Sequence, residues 1–123
     1  MSGRRLVAVV DDSDSVRESL PGLLEQVGLA VQAFDSAEAF LESGVADAAH
    51  CLVVDVGLPG MSGLDLQQEL GRRGKNLPIV FITAQGDTSL PPRLLAAGAV
   101  ACLFKPFSDT ALIEAVEVAI GMR

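Results

Sequence analysis

Five short apolar runs punctuate the chain, Leu6 to Val10, Ala30 to Phe34, Cys51 to Val54, Ile79 to Ile82 and Ala101 to Phe104. Most are rich in Val, Ile, Leu and Phe, residues that pack well on a pleated surface, and each predicts a strand. Between and after them lie helix-like segments, Ser15 to Val27, Ala37 to Glu42, Leu64 to Arg72, Pro92 to Ala97 and Asp109 to Ile120. Strict alternation of strand and helix, with no repeat or linker, predicts a parallel sheet covered on both faces. Ser36 and Ser108 are placed to cap helices, because a side-chain oxygen there can accept from the unpaired N–H groups of the first turn. Pro21, followed by Gly22, is expected to kink or shorten the first helix. Pro91 and Pro92 should shorten the fourth and push Leu90 toward an extended conformation.

The 123 residues, half of them hydrophobic, suffice for one core and fall short of two, so a single domain over 1–123 is expected. The apolar runs are far shorter than the ~20 residues of a membrane span. With no secretory signal pattern either, the expected location is the cytoplasm. Nine basic against sixteen acidic residues leave a net charge of −7, which repels a phosphate backbone and excludes direct nucleic-acid binding by this chain. Arg4-Arg5 and Arg72-Arg73 are too small for a binding stripe. His50 is the only histidine, so no multi-histidine metal site can form, and its place just before a strand suggests a structural role. Cys51 and Cys102 read as small buried hydrophobes.

Chemistry concentrates where the strands end. Asp11 and Asp12 follow the first run, Asp55 the third, Thr83 the fourth and Lys105 the fifth. In a parallel sheet these ends share one edge, and open α/β sheets bind ligands in the crevice outside it. A single Asp after a strand is commonly a turn or cap residue, the role expected of Asp14 in the Asp11 to Ser15 turn. Three carboxylates, a hydroxyl and an ammonium converging there are a different matter. Alone, the carboxylates would repel and raise one another's pKa. Mg²⁺ takes carboxylate, water and phosphate oxygens, and with Lys105 it would balance their charge. Such a pocket can admit a phosphoryl group, with Asp55 as nucleophile and Lys105 and Thr83 holding the phosphoryl oxygens.

The residues resemble, over the whole chain, the receiver domain of two-component response regulators, most nearly the nitrogen-fixation and nitrate regulator type. The likeness rests on Val9-Val10-Asp11-Asp12, on Val53 to Gly63, on Phe81-Ile82-Thr83-Ala84, and on Ala97-Gly98-Ala99 followed by Lys105-Pro106-Phe107. It implies a flavodoxin-like, doubly wound five-stranded parallel sheet of order 2-1-3-4-5 with five helices. It also implies phosphorylation of Asp55 by a histidine kinase or a small acyl phosphate, with self-catalysed hydrolysis. Asp12, Asp55 and the Gly57 carbonyl would hold Mg²⁺, with Asp11 reaching it through water, and the Lys105-Pro106 bond would be cis. The partner surface, for an output domain or a second copy, would be helix four and strand five. The chain would then be a stand-alone receiver or the N-terminal part of a helix-turn-helix transcription regulator.

The sequence departs from that pattern at Cys102, where the family commonly has a Tyr or Phe whose rotation reports phosphorylation. Phe104 is a candidate substitute, with ordinary packing beneath helix four as the equal alternative. Nothing cationic adjoins Cys102 to make it a redox sensor. Gly57 and Gln85, two residues beyond Asp55 and Thr83, are not general bases, although Gln85 could orient a water. Asp12 to Ser15 also imitates the nucleophile loop of haloacid-dehalogenase-like phosphatases, but no acidic pair follows Lys105 and no cap domain fits the length. A phosphorylation-independent interaction module is the third reading, supported only by Cys102.

Overall fold

The computed structural model describes residues 4–84 and 90–121. Its strands are β1 (Leu6–Val10), β2 (Ala30–Phe34), β3 (Cys51–Asp55), β4 (Ile79–Ala84) and β5 (Ala101–Lys105), and its helices α1 (Asp14–Glu25), α2 (Ala37–Ser43), α3 (Gly63–Arg72), α4 (Leu90–Ala96) and α5 (Asp109–Ala119). All strand pairs are parallel, in the order β2-β1-β3-β4-β5. This is the flavodoxin-like architecture expected, reached because alternate side chains of each central strand feed opposite layers. Val7, Val9, Val53, Val80 and Ile82 pack with Leu20 and Leu24 of α1 and Leu112 and Val116 of α5. Ala8, Val10, Leu52, Val54 and Phe81 pack with Phe40 of α2, Leu66 and Leu70 of α3 and Leu94 of α4.

Three strands run further than their apolar cores. Asp55 is the last residue of β3, in register with Ile82; Thr83 pairs with Phe104 and Ala84 with Lys105. The ladder accepts polar residues at its edge because their backbone groups still find partners while their side chains reach the crevice. Ser36 Oγ accepts from Ala39 N–H at 3.0 Å and Ser108 Oγ from Ala111 N–H at 3.0 Å, as expected of caps.

The proline-bearing helices differ from expectation at their ends, although α4, at seven residues, is short as expected. α1 passes Pro21 and ends at Glu25 rather than Val27. Proline removes one intrahelical bond there, and the buried Leu20 and Leu24 on either side hold the helix in place. α4 starts at Leu90, which is helical and not extended, so Pro91 and Pro92 fall in the first turn, where a missing N–H is harmless. Asp14 does not cap α1. It is the first helical residue, its carboxylate paired with Arg17, and Ser13 holds the cap position without a side-chain hydrogen bond. A carboxylate in the first turn suits the positive end of the helix dipole as well as a cap would. His50 is structural: its N–H donates to Leu6 O at 2.7 Å and its Nδ1 accepts from Leu6 N–H at 3.0 Å.

Candidate functional site

The crevice at the carboxyl edge of the sheet is built around Asp11. Its side chain is fully buried and its backbone is held on both sides, N–H donating to Phe34 O at 3.1 Å and the carbonyl accepting from Arg17 Nη1 at 2.9 Å. Oδ1 accepts from Ser13 N–H at 2.9 Å. Oδ2 has no hydrogen-bond partner; the Lys105 ammonium lies 3.3 Å away as an ion pair without hydrogen-bond alignment. Asp55, on the next strand, accepts from Gly57 N–H through Oδ1 at 3.1 Å, and its Oδ2 stands 3.5 Å from the same ammonium. Lys105 therefore faces two carboxylates. Asp12 is exposed at the mouth, and oxygens of Asp11, Asp12 and Asp55 lie within 4.8 Å of one another.

Electrostatics follow from that crowding. Burial, which strips water from the charged form, pushes the Asp11 pKa above its usual value, and the Asp55 carboxylate adds to the rise. Ser13 N–H and the Lys105 ammonium oppose it. An orphaned buried carboxylate oxygen beside two further carboxylates is a hard-oxygen donor set, which fits a divalent cation of the Mg²⁺ type.

Thr83 is buried one residue beyond the β4 partner of Asp55, and the described contact of its hydroxyl is a long one, 3.4 Å, to Ala84 O. The Lys105-Pro106 bond is cis. Cys102 packs on the layer containing Phe81 and Leu94, and burial pushes its thiol pKa up. The Cys51 thiol, in the opposite layer, is pushed up to about 12 by the same cause. Neither environment favours a thiolate. Phe104 is partly buried, two residues from Cys102 on β5 and hence on the same side of the strand. Gln85 lies outside the described residues.

Sequence reasoning missed the residues that brace this edge. Arg17 carries one readable signal, its helical spacing from Asp14, but its grip on the Asp11 carbonyl is tertiary. Glu38, which bonds Met61 N–H at 3.1 Å, carries none. Gly63 is a third. A Cβ there would stand 2.9 Å from Asp55 O, 3.0 Å from Val56 Cα and 3.1 Å from the Phe81 ring. Two of these are backbone atoms that cannot swing away, so Gly63→Ala should lower stability by ~1–3 kcal/mol, measured by urea unfolding.

A doubly wound sheet with a carboxylate cluster facing a lysine at its carboxyl edge defines a flavodoxin-like α/β domain with an acidic crevice. Residues 7–117 match the response regulator receiver domain, and the chain belongs to that family, one of signalling domains rather than enzymes. It is 48% identical over 118 residues to nodulation protein W of Bradyrhizobium diazoefficiens, covering 96% of this chain and 52% of that protein. It is 47% identical over 115 residues to the transcriptional regulatory protein FixJ of Azorhizobium caulinodans, covering 94% and 54%. The chain thus spans about half the length of these relatives. Among solved structures it superposes on the response regulator StyR with a TM-score of 0.90 at 44% identity, covering 98% of this chain and 61% of that one. It superposes on FixJ-N with a TM-score of 0.86 at 40% identity, covering 100% and 98%. It is a receiver domain of the FixJ and NodW type, which displaces the phosphatase alternative. Among the described residues no helix is long and apolar enough to cross a membrane.

Proposed function

We infer that Asp55 accepts a phosphoryl group from the phosphohistidine of a histidine kinase, or from a small acyl phosphate. The observation that carries this is the placement of the Asp55 carboxylate, at the end of a buried strand, beside two further carboxylates and 3.5 Å from the Lys105 ammonium. A carboxylate oxygen of Asp55 forms the new P–O bond as the P–N or P–O bond to the donor breaks, and the electron pair leaves with the imidazole or carboxylate. Gly57 N–H orients the nucleophile by holding Oδ1. The Lys105 ammonium stabilises charge on the transferring oxygens, and the Thr83 hydroxyl bonds one of them once the group is attached. Asp12, Asp55 and the Gly57 carbonyl would hold Mg²⁺, with Asp11 bonded through water. The bound cation would supply charge neutralisation at the phosphoryl oxygens.

The output reading draws on length and kinship. We take 1–123 as one receiver domain, and relatives about twice as long are named as transcriptional regulators, which supports a helix-turn-helix output domain in a longer cytoplasmic protein. The partner surface, for that domain or a second copy, is α4 and β5. Thr83 engagement is read out there through Phe104, beside the small Cys102.

The test is intact mass after incubation with acetyl phosphate, with and without Mg²⁺, for wild type and Asp55→Asn. Gain of one phosphoryl mass by wild type alone, only with metal, is expected. No gain, together with no binding of a beryllofluoride mimic, would replace this reading with a phosphorylation-independent interaction module.

A further inference from the structure

The loop from Val56 to Ser62 joins β3 to α3 and carries the Gly57 carbonyl. Its ends are secured close to home. Val56 N–H donates to Ile82 O at 2.9 Å, Gly63 N–H donates to Val56 O at 3.2 Å, and Ser62 and Asp65 close a capping box at the start of α3. The middle is less constrained. Leu58 is buried, but Pro59 has no N–H to donate, and Gly60 takes a left-handed φ of 70°. The described hydrogen bonds link residues 58–61 to another element through one contact, from Met61 N–H to Glu38 Oε2 at 3.1 Å. Glu38 lies in the first turn of α2. A Cβ on Gly60 would stand 2.9 Å from the same Oε2, so the carboxylate is packed against the turn as well as bonded to it.

Resting on the phosphoacceptor reading, we propose that Glu38 is a positioning residue for the metal site, acting from α2 through Met61 to hold the loop that presents the Gly57 carbonyl. Glu38 contributes an acceptor, not a ligand. Removing a group that orients a metal's ligands typically costs roughly 10–100-fold in affinity, because a ligand left free to move must be immobilised anew each time the ion binds. The residue is exposed on a short helix, so replacing it opens no core cavity and leaves the fold intact.

The experiment titrates Mg²⁺ calorimetrically into wild type, Glu38→Ala and Glu38→Gln, and measures hydrogen exchange at the Met61 amide without metal. Glu38→Ala should weaken Mg²⁺ binding ~10-fold or more and speed Met61 exchange. Glu38→Gln, whose side-chain carbonyl can still accept from Met61 N–H, should retain most of the wild-type affinity and protection. With acetyl phosphate, Glu38→Ala should need more Mg²⁺ for half-maximal phosphorylation yet approach the wild-type rate at saturation. Equal losses in Ala and Gln variants would overturn the proposal in favour of a bulk charge effect. Unchanged affinity or unchanged Met61 exchange in Glu38→Ala would overturn it outright. If wild type itself bound no Mg²⁺, the phosphoacceptor reading would fall first, and this proposal with it.

Discussion

Lys105→Met should slow phosphorylation by acetyl phosphate ~10²–10³-fold at saturating Mg²⁺, the usual cost of removing one preorganised donor from a site of developing charge. Lys105 is the only described cation paired with Asp11 or Asp55, at 3.3 and 3.5 Å. It stands on the last residue of β5, so its stem is held by the sheet and not by a loop. Methionine keeps the length and the apolar stem and removes only the ammonium. The rate of phosphoryl mass gain, followed by intact mass, checks this. A rate within a few-fold of wild type would mean that Lys105 merely balances the resting carboxylates and takes no part in the transfer.

Asp11→Asn should have opposite effects on function and on metal-free stability. Asn retains the acceptor for Ser13 N–H, but it removes the negative charge whose pKa burial and Asp55 raise. The folded protein holds the Asp11 proton more tightly than the unfolded chain does. The favourable contribution is therefore fully present below the unfolded value of 3.8 and is lost as pH rises through the folded one. In EDTA at pH 7 the Asn variant should be more stable by ~0.5–2 kcal/mol, the size of a typical single stabilising substitution, and the advantage should shrink as pH falls through the folded-state value and be gone below the unfolded value of 3.8. Urea unfolding across that range tests the sign, and a variant less stable at pH 7 would refute it. Calorimetry on the same variant should show weakened Mg²⁺ binding, since the orphaned Oδ2 is an oxygen that a metal-bound water would satisfy.

Much of this was legible in the linear chain. Alternating apolar runs and helical segments dictated five strands and five helices, because a strand covered on both faces must be apolar on both. Ser36 and Ser108 were readable as caps because a cap acts within one turn. The residues of the crevice were legible for a similar reason: Asp11, Asp55, Thr83 and Lys105 each mark a strand end, and the topology of a parallel sheet brings such ends together whatever the loops do.

Other features were settled only by the folded structure. Asp14 looked like a cap because capping propensity is local, whereas the structure pairs it with Arg17 one turn on, at a spacing the chain did show. Pro91 and Pro92 suggested a delayed start to α4, whereas they occupy its first turn. The grip of Arg17 on the Asp11 carbonyl, the reach of Glu38 to Met61, and the close approach of Gly63 to Asp55 and Phe81 were decided by the tertiary structure alone. Periodicity and local propensity by themselves determined which elements form and which edge is reactive, since both are repeated or short-range signals. How rigidly that edge is held depends on single contacts between side chains and distant backbone, and these exist only once the layers have packed.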